Sequence, residues 1–513
     1  MGKLFHIVVK PILLGSLFGA ILLMAKVSNG QNSVRKITFD EAIAIALEGS
    51  YPTRYYREEK EAMQYSYLYN KAQFKPRLDL NLFVPSWDEG VNAIYTPDTL
   101  PVYTSTSSLK AGGSLNFTVM LPTGGNFALS SRMYWEKYMM ASGSSFSDGL
   151  KNIQAFSRFS LSFSQPIFTT NTLKENLKIA RLNYDKSVCY YNRAQMDIVY
   201  NVTNAFYQVY KASYQLLIAT ERLNNSKEAL RITKLKQEAG DLPEGEILIA
   251  EISVAQDEAR LLESKGNMEE LKDEFKLLVG LNLSEEFELE AEMDFESFII
   301  DQPKAIEEAK KNRNELRERD IDIRLQEISL DQAKREREFK GQIDAYYDFT
   351  GLSTRDGGTP IELFNSSFEN MADRPANRGV TLTLAYPILD WGRGRNLENK
   401  SRHILKEREL DKENTERSIE KEVREIVRKV NEAEIRYRIN RQNKTVAEKS
   451  FRISQLRFEN GDMTSQELSI EQNRLSDVQL DYINSYITYR LAVADLNRKT
   501  LFDFKENKPL VIE

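Results

Sequence analysis

Cys189 is the only cysteine, and His6 and His403 are the only histidines, in a chain of 513 residues. The side chains that most often hold metals or carry nucleophilic chemistry are therefore nearly missing. One thiol and two imidazoles cannot assemble a Cys/His metal centre, and a lone cysteine forms no internal disulfide. His403 follows Arg402 and stands near Lys406 in a highly charged stretch, which reads as a solvated helix face and not as the base of a triad. Cys189 reads as a small packing residue. The glycines of the run Asp390 to Arg395 (DWGRGR) could cradle a phosphate, but the Gly spacing and the Lys-Ser/Thr pair of such a loop are absent, so the run reads as a hinge. Asp and Glu number 76, so acid pairs at helical spacing arise by chance. No nucleophile, base and orienting partner come together. The expectation is no catalytic residue, no cofactor and no metal.

The elements that would position any function begin after residue 30. Lys3 and Lys10 precede an uncharged run, Pro11 to Ala25, with small residues at Ser28 and Gly30. That is the pattern and length of a secretory signal peptide over residues 1–30, with a signal anchor as the alternative. No cysteine near the cut supports a lipid anchor. Losing Lys3, Lys10 and Lys26 takes the formal charge from −6 to −9, which argues against a nucleic-acid partner. No later apolar run is long enough for a membrane helix. A chain that enters a bilayer without one must do so as a closed β-barrel.

The chain repeats itself. The segment Ser160 to Phe168, centred on Pro166, resembles Thr381 to Leu389, centred on Pro387; the segment ending at Gly240 resembles the one ending at Gly461. Both pairs are 221 residues apart. Between them an apolar stripe recurs as Ile198, Val202, Ala205, Val209, Ala212, Leu216 and as Ile419, Val423, Ile426, Val430, Ala433, Tyr437. Steps alternating four and three are the seam of packed long helices. The copies also open alike, with Ala42, Ile43 and Ala46 matching Ala305, Ile306 and Ala309. The expected division is a first structural repeat over 31–280, a linker over 281–303, a second repeat over 304–499 and a tail over 500–513.

Each copy reads as helix, strands, long helix, tight turn and returning helix. The first helix is expected over 39–74, with Thr38 as N-cap and Glu41 as its capping-box partner. Residues 77–84 alternate apolar and polar, as do Phe159 to Ser164 and Thr381 to Leu384. One apolar and one small polar face suits a membrane barrel and equally a half-buried soluble sheet. Residues 115–135 read as an extra hairpin turning at Gly124 and Gly125, either part of the wall or outside it. The flanks, 95–108 and 139–149, read as loops. Proline suits a strand end, so Pro166 and Pro387 with Trp391 and Gly392 read as strand–helix junctions. From Asn171 to Glu238 no proline interrupts a rod of about 100 Å.

In order and in duplication, four motifs resemble the TolC-like outer-membrane efflux family. They are the opening from Thr38 to Leu47 (TFDEAIAIAL), the strand end Gln165 to Phe168 (QPIF), the DWG junction, and the Arg-Phe-x-x-Gly-Asp turn at Arg457 to Asp462. The resemblance covers nearly the whole chain after residue 30. It implies a mainly α fold with membrane strands: a homotrimer closing one β-barrel in the outer membrane and one α-helical barrel in the periplasm, with the segments 281–303 and after 500 as a belt midway. It also implies passive conduction from a periplasmic adaptor and inner-membrane pump, for efflux or type I secretion. The tips at Gly240, Asp241, Leu242 and Gly461, Asp462, Met463 would dock the adaptor. Glu467, Glu471 and Glu246 match the acidic positions that narrow the tip; an ordinary charged helix face is the alternative. A soluble periplasmic coiled-coil scaffold remains the second reading of the chain.

Overall fold

The computed structural model describes residues 35–95, 100–142, 150–240, 242–290, 297–355 and 359–510. The expected signal peptide lies outside them, and so does Asp241.

The first repeat starts with β1 (Arg35–Thr38), α1 (Phe39–Gly49) and α2 (Tyr51–Ala72). A single helix over 39–74 is therefore corrected to two. Ser50 is extended (φ −63°, ψ 150°), and its Oγ accepts the Thr53 N–H to start α2, with Pro52 in the first turn. A Ser followed two residues later by Pro is a helix-start signal, since proline lacks the N–H that the first turn leaves unused. Thr38 caps α1 as expected, accepting the Glu41 N–H. The Glu41 carboxylate pairs with Arg35 at 2.6 Å instead of completing the capping box. The second repeat breaks in the same place: α5 (Gln302–Asn312) and α6 (Asn314–Arg335) meet at Arg313.

Four strands follow in the first repeat, β2 (Arg77–Ile94), β3 (Val102–Met120), β4 (Asn126–Ser142) and β5 (Leu150–Ile167). Two follow in the second, β7 (Lys340–Arg355) and β8 (Asn377–Ala385). They form one antiparallel sheet in the order β2-β3-β4-β5-β7-β8. The hairpin β3–β4 thus belongs to the wall. The expected loops are corrected too: β3 runs through 102–108, rich in Ser and Thr, and β4 through 139–142, because these ends keep cross-strand partners in register. The strand expected over 77–84 continues to Ile94 across an irregularity at Val84 and Pro85. Between β7 and β8 lies a helix the sequence reading passed over, α7 (Pro360–Asp373), started by a Thr359/Glu362 capping box. It packs on β5 and β7. A Cβ at Gly351 would collide with the Ser367 carbonyl, so only glycine lets the helix lie this close.

The rods are α3 (Thr172–Glu238), α8 (Arg393–Asn460) and the returning α4 (Glu244–Val279) and α9 (Ser465–Thr500). Both repeated stripes face the cores: Val202 and Phe206 pack with Ala42, Ala46, Phe275 and Tyr486, while Val423 and Val430 pack with Ala305, Ala309 and Leu496. Fully buried alanines let the short helices α1 and α5 sit tight on the rods. On α8, four Glu-to-Arg pairs at i,i+4 begin at Glu398, Glu413, Glu420 and Glu434; exposed pairs of this kind support the helix only weakly. Two small pairs tie the middle: β1 lies parallel to β6 (Phe287–Glu290), and β9 (Phe502–Asp503) antiparallel to β10 (Lys508–Pro509). Among the described residues no helix is long and apolar enough to cross a membrane.

Candidate conduit: wall, junction and tip

Cross-strand partners share a face, so register sorts the sheet into two surfaces. One carries Leu78, Leu80 and Leu82 on β2, Phe117, Leu129 and Leu161 in the middle, and Val380, Leu382 and Leu384 on β8. Leu82 is 72% exposed and Val380 77%. An apolar ladder of this extent left open to water marks an interaction surface, and lipid is the partner a barrel wall takes. The other surface carries Asp79, Asn116, Ser130, Ser160 and Asp348 across one row. Arg158 and Ser160 both bond the buried Asp348 carboxylate there. Among the described residues the sheet stays open, and its edges β2 and β8 have no further strand partner. Hydrocarbon does not tolerate such edges.

The junction residues lie where the sheet meets the rods. Pro166 is the penultimate residue of β5, opposite Gln342, and Pro387 follows the end of β8 by two. Asp390 takes the N–H of Gly394 and of Gly392, each at 2.9 Å. Those two bonds hold its carboxyl below the usual carboxylate range. The N–H groups of Gly392, Arg393 and Gly394 are thus all taken by Asp390. Gly392 (φ 81°) and Trp391 (φ 53°) make the left-handed turn into α8. Trp391 is 89% exposed, beside the exposed Ile388 and Leu389. The stacked pair Phe339 and Tyr386 lies at the same end of the sheet, so exposed apolar and aromatic side chains gather there.

At the far end Gly240 (φ 87°) and Gly461 (φ 91°) turn the rods, as a left-handed C-terminal glycine does. The candidate acids converge on the start of α9. Glu467 forms a capping box with Thr464 (2.8 and 3.2 Å), which lowers its pKa. Glu246 reaches across from α4 to accept the Ser465 N–H at 3.3 Å. Glu471 lies one turn further on, 3.8 Å from Arg474. Met463 packs inward against Phe451, Phe458 and Leu468, while Gly240, Gly461 and Asp462 are exposed and Leu242 is half-buried. Sequence reading missed Lys236, whose Nζ donates to the Phe458 carbonyl at 2.6 Å and locks the two tips together. The contact joins residues 222 apart and leaves no local signal.

His403 is exposed on α8. Cys189 is buried, and burial pushes its thiol up and away from a reactive thiolate. Among the described residues no acid, His or Cys cluster could hold a metal.

Below the barrel, buried Glu318 on α6 has its pKa raised to about 7: burial outweighs the opposing pull of Arg193, 3.2 Å away. A carboxyl raised above its unfolded pKa binds more protons when folded, so stability falls as pH rises from about 4.5 to about 7. Glu318→Gln is expected to flatten that fall by on the order of 2 kcal/mol, read as thermal midpoint against pH. A wild-type midpoint that rises across that window would contradict the assignment.

Comparison with known proteins agrees with this geometry. A family model described as outer membrane efflux protein matches residues 137–280 and 305–498. No curated protein sequence matches the chain. The fold is similar to the CmeC outer membrane channel of Campylobacter jejuni, at 13% identity and TM-score 0.66, covering 93% of this chain and 87% of that one. It is also similar to VceC of Vibrio cholerae (13%, TM-score 0.62, 92% and 97%). A third likeness is the open state of MtrE of Neisseria gonorrhoeae (12%, TM-score 0.62, 90% and 88%). With one apolar and one polar face on its sheet and long rods leading away from it, the chain belongs to the outer membrane efflux protein family.

Proposed function

We propose that three copies associate as a homotrimer and close one duct at two levels. The observation that carries this is that both layers end in open edges a further copy complements. In the sheet the edges are β2 and β8, and three six-stranded sheets joined edge to edge give eighteen strands, a size that leaves an aqueous channel. In the helical layer α3 packs along α4 and α9, and α9 along α8, so α4 and α8 stand outermost. α4 exposes Leu248, Ile252, Ala255, Ala259 and Leu262; α8 exposes Ile439, Val446 and Ile453. Steps of four and three on one edge and of seven on the other are seam spacings.

On this reading residues 1–30 are a signal peptide, 31–280 and 304–499 are the structural repeats, and 281–303 with 500–513 form a belt around the rods. The tips at Gly240, Asp241, Leu242 and Gly461, Asp462, Met463 dock a periplasmic adaptor coupled to an inner-membrane pump or a type I exporter. The subunit conducts passively, without cofactor or catalytic step, and its apolar wall faces outer-membrane lipid.

Glu246, Glu467 and Glu471 from three chains would then ring the tip with carboxylates and hold cations there. Two of them also cap α9, so alanine would unravel the tip as well as discharge it; glutamine keeps the hydrogen bonds. The expected result with Glu246→Gln, Glu467→Gln and Glu471→Gln combined is divalent-cation block of planar-bilayer current weakened about tenfold, the equivalent of ~1.4 kcal/mol. Unchanged current and block would remove the gate, and a wild type that inserts without carrying current would remove the duct.

A further inference from the structure

One row of the polar wall is not polar. Register places Phe83, Gly112, Tyr134, Phe156 and Leu352 side by side on β2, β3, β4, β5 and β7. Tyr134 and Phe156 stack with centroids 4.9 Å apart, and Phe83 lies 6.4 Å from Tyr134. A Cβ at Gly112 would collide with Tyr134, so glycine is what lets the row lie flat. The next row toward the rods carries Arg132 directly opposite Arg158. Like charges facing each other across strands are destabilising. Arg158 is neutralised by Asp348. Arg132 is exposed and has no acidic partner among the described residues; its guanidinium sits 5.7 Å from the centroids of both Phe83 and Tyr134. On the other side of the row Lys110 is paired with Glu136 at 3.1 Å, and Gln154 with the same carboxylate at 2.6 Å.

We propose that this aromatic row and the Arg132–Arg158 pair form a binding site in the barrel lumen for amphipathic organic anions, an aromatic ring bearing a carboxylate. The proposal rests on the duct reading, which turns this wall inward. The aromatic faces take the ring of the cargo. A guanidinium seated over ring faces keeps its in-plane N–H donors for a planar anion, and an anion there supplies the counter-charge that no acidic residue among the described ones gives Arg132. Organic cations are disfavoured, because the positive charge of Arg132 beside the row repels them. β3 and β4 supply Gly112, Arg132 and Tyr134, so the hairpin that has no counterpart in the second repeat brings most of the site.

The test is block of single-channel current in planar bilayers by 2-naphthoate, with acetate (the carboxylate without the ring) and benzyltrimethylammonium (the ring with the opposite charge) as comparators. Each variant is scored as fractional block of its own open current. Wild type is expected to be blocked by 2-naphthoate at a concentration at least about tenfold below either comparator, roughly one such step of binding energy. Arg132→Gln should remove that margin, and Tyr134→Thr should reduce it while leaving acetate unaffected. Equal block by all three probes, or block by 2-naphthoate that survives Arg132→Gln, overturns the site. A conducting wild type indifferent to 2-naphthoate defeats this proposal alone, whereas a wild type that inserts and carries no current defeats the duct and the site together.

Discussion

Ile439→Asp combined with Val446→Asp is expected to leave the protein monomeric in detergent and to abolish bilayer current. Both side chains are exposed on the outward stripe of α8, seven residues apart, so neither supports the fold of a single protomer. In an assembled duct each would be buried against the neighbouring α4. Burying one such aliphatic side chain contributes about 1.5–3 kcal/mol, and the pair recurs at every one of three interfaces. The aspartates remove that term and add charges that an apolar seam cannot solvate. Light scattering of the purified protein reads the outcome, and circular dichroism checks that helix content is retained. A double aspartate variant that still runs as a trimer would show that α8 is not the seam.

How far such seams can be read from sequence depends on whether the signal is local. The stripe from Ile419 to Tyr437 was legible because one helix face buries at a fixed period, and all six residues are buried in the structure. Gly461 was legible because a helix reversal needs a left-handed residue, and its φ is 91°. The break at Ser50 carried a local signal in Pro52 that the apolar period of the surrounding helix masked. At Arg313 the signal is tertiary: the extended residue is held by Glu315 at 2.6 Å and by Glu422 at 2.8 Å, 109 positions away. Residues 102–108 looked like a loop because Ser and Thr dominate them. In a wall with one wet face, small hydroxyl residues are acceptable strand residues once both neighbours are in register. α7 was hidden by the glycines and prolines around it, although its Thr359-Pro360-x-Glu362 start was in plain view. The Glu246 contact with the Ser465 backbone joins residues 219 apart and has no sequence signature.

The two proposed charged sites lie at opposite ends of the rods and would not compete. α3 alone has 67 residues, so the carboxylates at the tip and the arginines of the barrel are separated by something near the rod length of about 100 Å. The Debye length at physiological ionic strength is about 8 Å. The proposed acidic ring would therefore exert no field on an anion at Arg132, and the two sets of substitutions are expected to act independently.

Asp257→Ala is expected to destabilise the helical layer by about 3–5 kcal/mol, because it strands a buried cation. Asp257 is 2% exposed on α4. Its two oxygens receive Arg222 Nε at 2.5 Å and the Ser226 hydroxyl, both from α3. Arg222 is itself mostly buried, and its backbone carbonyl accepts Gln472 Nε2 of α9 at 2.8 Å. One carboxylate thus ties the returning helix to its rod at the point where the rod meets the second repeat. The pair is not expected to be stabilising in itself, since two charges taken out of water lose about as much hydration as they gain in attraction. Arg222→Met with Asp257→Leu, which removes both charges and keeps apolar volume, should therefore unfold close to wild type, while either single substitution unfolds early. Large multi-helix proteins often unfold irreversibly, so the measurement that separates these cases is the rate of helix loss at a fixed temperature. A single Asp257→Ala variant as long-lived as wild type would mean that water reaches Arg222 after all, and that the rod and its returning helix are held by their apolar seam alone.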